Sequence, residues 1–191
     1  MKRIVYLHGF NSSPASKKAN QLLAWLTARG MADAFAAPNL HHRPARAMRE
    51  VEAQYGACDP DEITLVGSSL GGFYATYLTE KYGFKSILVN PAVGAHLGLA
   101  TFVGPQVNLY TGEKYEFTPA HIDELNALAV AKPTRLERYW LMVETGDETL
   151  DYRQAVAFYR GAKQLVIEGG DHGFQAWQSL LPEVVAFAGI T

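Results

Sequence analysis

The chain has 191 residues, of which 48% are apolar and 19% charged, with a net charge of −2 and no basic run. That is enough for one substantial core and short for two domains, and the charge argues against nucleic acid or an acidic membrane as a main partner. The one cysteine, Cys58, excludes an internal disulfide and fits a reducing compartment.

After Met1-Lys2-Arg3 comes only a short apolar run, Ile4 to Leu7. A secretory signal needs a longer one, and no stretch approaches the length of a membrane span, so the expectation is a cytoplasmic protein with no membrane span. The run over 3–7 predicts a strand. Ser13 and Pro14 offer a helix N-cap and first residue, Ala19, Leu22, Leu23 and Leu26 form a stripe at helical spacing, and Gly30 supplies a stop. A weaker strand is expected over 33–37. Pro44 opens a second helix with Met48, Val51 and Tyr55 on one side. A strand over 63–66, a helix over 70–82 and a strand over 86–89 follow. Residues 92–135 read as irregular, rich in glycine and aromatic side chains. Then come a strand over 139–144, a helix over 152–160, a strand over 164–167 and a helical region that Pro182 breaks or restarts.

Continuous apolar strands separated by helices predict a mostly parallel sheet covered on both faces, hence one α/β domain over 1–191. In such sheets the ligand crevice lies beyond the carboxyl ends of the strands. Gly67-Ser68-Ser69-Leu70-Gly71 stands at such an end, between the strand over 63–66 and the next helix. This is G-x-S-x-G in strand–turn–helix context, a nucleophile elbow that presents Ser69 at a helix N-terminus. A dinucleotide fingerprint would need glycine at position 69, and a P-loop would need Gly-Lys-Ser/Thr; neither is present. A serine hydroxyl needs an adjacent base that is itself held by a carboxylate. His172 and Asp147 follow later strands and can supply both. Asp151, before Tyr152, suits a helix N-cap better, and Asp171 adjoins His172 too closely to bend back onto it.

Together, His8-Gly9-Phe10-Asn11-Ser12-Ser13-Pro14, Gly67 to Gly72, Asn90-Pro91, Gly146-Asp147-Glu148 through Asp151-Tyr152, and Gly169-Gly170-Asp171-His172 are similar to the small bacterial YqiA-type esterases of the α/β-hydrolase superfamily. The resemblance covers nearly the whole chain and implies a three-layer α/β-hydrolase fold with a minimal lid, where 92–135 is either that small lid or an irregular excursion packed over the sheet. It implies hydrolysis of a small-molecule carboxylic ester or thioester through an acyl-enzyme, with Ser69, Asp147 and His172 catalytic and no cofactor. It puts the oxyanion hole at the backbone N–H groups of Phe10 and Leu70. Acyl transfer with the same triad, or ligand binding without turnover, are the alternatives. His8 reads as a structural hydrogen-bonding residue, and His41 and His42 as solvated loop histidines. His96 and His121 have no nameable partner, and no set of residues has metal-ligand spacing. The acyl chain, the leaving group and the oligomeric state are not legible.

Overall fold

The computed structural model describes residues 1–190. Its strands are β1 (Arg3–Leu7), β2 (Phe35–Ala36), β3 (Ile63–Ser68), β4 (Lys85–Val89), β5 (Gly104–Val107), β6 (Lys114–Phe117), β7 (Tyr139–Glu144) and β8 (Lys163–Ile167). The helices are α1 (Lys17–Thr27), α2 (Pro44–Tyr55), α3 (Leu70–Tyr82), α4 (Ala95–Gly98), α5 (Pro119–Leu128), α6 (Tyr152–Phe158) and α7 (Leu181–Ala188). Six strands pair in the order β2-β1-β3-β4-β7-β8, every pair parallel, while β5 and β6 form a separate antiparallel hairpin. This is the α/β-hydrolase fold, with helices on both faces of a parallel sheet.

Alternation along the strands divides the core in two. Val5, Leu7, Leu65, Leu88, Leu141 and Val143 face the layer that includes α2 and α3. Ile4, Tyr6, Val66, Ile87, Trp140 and Met142 face the layer of α1 and α7. Both sets are fully or almost fully buried, so the strands read as unbroken apolar runs. No helix among the described residues is long and apolar enough to cross a membrane.

Several boundaries differ from the sequence reading. The first helix begins at Lys17 rather than at Pro14, because the Ser13 hydroxyl accepts the Ala15 N–H at 3.1 Å and closes a turn instead of capping a helix. Its buried stripe is Ala19, Leu22 and Leu26, whereas Leu23 faces outward. The weak strand over 33–37 shrinks to Phe35–Ala36, preceded by a 3₁₀ turn. The segment expected to be irregular carries α4, the β5–β6 hairpin and the ten-residue α5, which buries His121, Leu125 and Leu128. Pro182 restarts a helix, since α7 follows a 3₁₀ stretch over Gln175–Leu180.

The closest approach in the sheet layer is between α3 and β1. A Cβ on Gly71 would lie 1.9 Å from the Leu7 carbonyl oxygen, and one on Gly67 would lie 2.4 Å from the Gly71 oxygen. Only glycine lets helix and strands meet at this distance. Gly71→Ala should therefore cost about 3 kcal/mol or more, whereas Gly98→Ala, whose added methyl would meet nothing within 4 Å, should change stability by less than about 0.5 kcal/mol. Urea unfolding of the two variants checks the contrast.

Candidate active site

The same approach dictates the conformation of the residue between β3 and α3. Ser69 has φ 55° and ψ −119°, a region that costs an L-residue on the order of 1–3 kcal/mol. The surroundings hold it there. Its N–H donates to the Val89 carbonyl at 3.1 Å, and its own carbonyl accepts from Gly72 at 2.9 Å and Ala92 at 3.0 Å. The Ser69 side chain lines a cavity of about 830 Å³ together with Phe10, Leu70 and His172. The size is ordinary for a small-molecule site.

The loop after β1 closes over the serine. A Cβ on Gly9 would come within 3.3 Å of the Ser69 Cβ, so the chain at Gly9-Phe10 packs directly on it. His8 supports this loop from below. It is buried, its Nδ1 lies 3.0 Å from the Gly9 carbonyl oxygen, and the Leu40 N–H reaches its Nε2 at 3.1 Å. With Nε2 accepting, Nδ1 is the protonated nitrogen and donates to Gly9. Burial lowers the imidazole pKa, against the opposing pull of the Gly9 bond. Asn11, at φ 51°, ties the loop to the hairpin: its carbonyl accepts the Leu109 N–H at 3.0 Å, and its Oδ1 accepts the Tyr115 hydroxyl at 2.6 Å. The N–H of Leu70 heads α3, where no intrahelical acceptor exists.

Asp147 lies in the loop after β7 and His172 in the loop after β8. The imidazole Nδ1 is 2.8 Å from Asp147 Oδ2 and 3.0 Å from Oδ1. Asp147 Oδ1 also accepts the N–H groups of Thr149 and Leu150, each at 2.8 Å. The Asp147 side chain is only 2% exposed. Burial pushes its pKa up, but the bonds from His172 and from the Leu150 and Thr149 amides outweigh it and hold the carboxyl below the usual aspartate value. With Nδ1 engaged, Nε2 is the nitrogen left to serve the cavity. Asp151 does cap α6, accepting the Arg153 N–H at 3.0 Å. Asp171 faces away from the imidazole and accepts from Gln175 at 2.9 Å. Nearby, the Lys18 ammonium donates to the Gly173 carbonyl at 2.9 Å; burial lowers its pKa against the attraction of Asp171, Glu144 and Asp147.

His41 and His42, expected as solvated loop histidines, are half-buried in the loop after β2 and pack on other rings. His42 stacks on Tyr115 at 4.4 Å between ring centres, with His41 beside it at 4.2 Å, and its Nδ1 is 3.3 Å from His121 Nε2. His121 in turn belongs to a capping box with Thr118 at the start of α5. Packing of β6 and α5 against the loop after β2 draws them together. Among the described residues, no three His, Cys, Asp or Glu side chains are grouped to hold a metal ion. Sequence reading singled out Asn90 only within the Asn90-Pro91 motif and gave Glu144 no role; both are buried polar residues at strand ends beside the His172 loop.

A family model described as an uncharacterised protein family, UPF0227, matches residues 3–189. The chain belongs to the UPF0227 family. A UPF0227 protein of Pectobacterium carotovorum subsp. carotovorum is 24% identical over 191 residues, covering 96% of this chain and 97% of that protein. Another, from Shewanella woodyi, is 29% identical over 89 residues; that match covers 46% of this chain and about half, 50%, of the relative. Solved structures share the fold. Alpha/beta hydrolase domain-containing protein 10 from mouse superposes with a TM-score of 0.71 at 16% identity, covering 96% of this chain and 87% of that one. Est1E from Butyrivibrio proteoclasticus gives 0.65 at 14% identity, covering 97% and 86%. The esterase domain from a Rhodothermus marinus protein gives 0.64 at 17%, covering 98% and 86%.

The depressed Asp147 pKa links this UPF0227 site to stability. A carboxyl with a lowered folded pKa stabilises the fold above the ordinary aspartate value near 3.9, and that contribution is lost as pH falls through the lower folded value. Asp147→Asn should therefore be less stable than wild type at pH 6 and show a flatter decline between about pH 5 and pH 3. Urea midpoints across that range check it.

Proposed function

We propose that this protein is a serine hydrolase that cleaves carboxylic esters or thioesters through an acyl-enzyme. The observation that carries the reading is the His172–Asp147 hydrogen bond beside a cavity that also exposes an elbow serine in a left-handed backbone conformation. The Rhodothermus marinus domain, named as an esterase domain, shares the fold and supports the same reaction class by analogy.

In this mechanism Ser69 Oγ attacks the substrate carbonyl carbon while its proton passes to His172 Nε2. Asp147 holds the imidazole through Nδ1–H and stabilises the imidazolium. The N–H groups of Phe10 and Leu70 face the oxygen that becomes negative; one such donor is worth on the order of 100–1,000-fold in rate. Collapse of the tetrahedral adduct breaks the carbonyl-to-leaving-group bond, and the leaving alcohol or thiol takes the proton from Nε2. A water then attacks the acyl ester, with Nε2 accepting its proton. The carboxylic acid departs and the proton returns to Ser69 Oγ. Phe10, Leu99 and Phe102 give the cavity an apolar wall against which an acyl group can pack.

Fluorophosphonate should label the wild-type protein at Ser69. Ser69→Ala should lose both labelling and esterase activity while staying folded, and Ser68→Ala should keep most of both, because the elbow presents its central residue as the nucleophile. The opposite pattern would put the nucleophile at Ser68. Asp147→Asn should lower kcat by roughly 10⁴-fold, as a change of tautomer does in the triad template, whereas Asp151→Asn should cost little, since asparagine also caps helices. Rates with short-chain p-nitrophenyl esters and acyl-CoAs of increasing length test the ranking and separate ester from thioester preference.

A further inference from the structure

Glu144, the last residue of β7, is 1% exposed, and its carboxylate is engaged by the loop that carries His172. The hydrogen bonds it accepts come from the main chain. Oε2 takes the N–H groups of Asp171 and Gln175, each at 2.9 Å, and Oε1 takes that of Ala176 at 2.9 Å. A carboxylate is the side chain that can accept at both oxygens, and bonds to a charged acceptor are about twice as strong as neutral ones. These three amides flank His172 on both sides.

Asn90, at the end of β4 and 2% exposed, completes the grip. Its Nδ2 donates to the carbonyls of Asp171 at 3.0 Å and His172 at 3.3 Å, and its Oδ1 accepts the Glu144 N–H at 3.0 Å. The His172 N–H is taken by Glu148 Oε2 at 3.0 Å. The loop has little local reason to adopt this path, for Gly169, Gly170 and Phe174 all have positive φ. Gly170 is also the floor under the carboxylate: a Cβ there would fall 1.9 Å from Glu144 Oε2.

We propose that Glu144 and Asn90 are positioning residues that set the His172 imidazole against Asp147 by fixing the main chain on either side of it. The catalytic consequence rests on the hydrolase reading above; the positional one does not. The pair spans β4 and β7, so the loop is referenced to the sheet that also carries Ser69. Breaking the grip leaves the imidazole in place chemically but displaced by a fraction of its reach, and a misplacement of about 1 Å can cost about 100-fold in rate.

Two variants test this. Glu144→Gln keeps the shape but offers one oxygen and an NH₂ group to three N–H donors. Asn90→Asp keeps the acceptor toward the Glu144 N–H and replaces the donor with an oxygen facing two carbonyls; it carries the test if Glu144→Gln fails to fold. Both should lower kcat for a short-chain p-nitrophenyl ester about 100-fold with KM nearly unchanged. In both, the far-downfield proton NMR resonance of the His172 Nδ1–H, hydrogen-bonded to Asp147, should broaden or move upfield. Ser69→Ala should retain that resonance. A folded variant with wild-type resonance overturns the proposal, whether or not kcat falls, and so does wild-type kcat with an altered resonance. If the wild-type protein hydrolyses neither the esters nor the acyl-CoA thioesters, the hydrolase reading fails, while the resonance still decides whether the two residues position the ring.

Discussion

Helix α3 can lie against β1 only because no side chain separates Gly71 from the Leu7 carbonyl, and much else in the molecule follows from that contact. With the helix axis so near the strand, the turn between β3 and α3 has no room for an ordinary backbone, and Ser69 takes up the strain at φ 55°. The strained turn lifts its side chain off the sheet and aims it into the cavity. Its main-chain groups are satisfied by Val89, Gly72 and Ala92, so the neighbouring strand β4 shares in holding it. The loop carrying Gly9 and Phe10 leaves the same strand, β1, whose Leu7 receives the helix. The serine and the loop above it are therefore located by one packing event.

The parallel arrangement does the rest. Since every strand of the sheet points the same way, the segments after β1, β3, β4, β7 and β8 emerge at one end. Each contributes a polar group where backbone pairing stops: His8, Ser69, Asn90, Glu144 with Asp147, and His172. These groups are buried or half-buried; His8, Asn90 and Glu144 bond main-chain atoms of neighbouring loops, and Asp147 bonds amides of its own loop and the His172 ring. The loops would carry unpaired backbone groups without such partners, so the polar residues that shape the site also complete the hydrogen bonding of its frame.

Much of this was legible in the chain. The strands announce themselves because both faces are covered, which turns them into continuous apolar runs, and the elbow glycines are local in sequence. Asp147 could be preferred over Asp151 from position alone, since one follows the strand and the other precedes a helix, and their hydrogen bonds agree with that. What escaped depends on distance along the chain. The partners of Glu144 come 27 to 32 residues later, so nothing near it in sequence marks it as more than a strand-end acid. The β5–β6 hairpin contains Gly104 and Pro105, poor strand formers, and it is held by Asn11 and Ser12, which lie 95 and 96 residues from their partners in the chain. Helix α5 did carry a local signal, Thr118-Pro119 as cap and first residue, but its short buried stripe begins with a histidine and was easily passed over.

The order of the strands also bears on how the molecule comes into being. β1 pairs with β3, with Arg3 opposite Ile63, so the central pairing waits for about a third of the chain, and the elbow follows at once. β7 and β8 join last, at one edge, and bring Asp147 and His172 with them. Domains generally fold as units, and non-local strand pairing is slow. In the chain, the elbow is thus complete well before the residues of β7 and β8. The two parts of the candidate site are thus about a hundred residues apart in the chain, and they meet only where the second edge strand docks on the sheet.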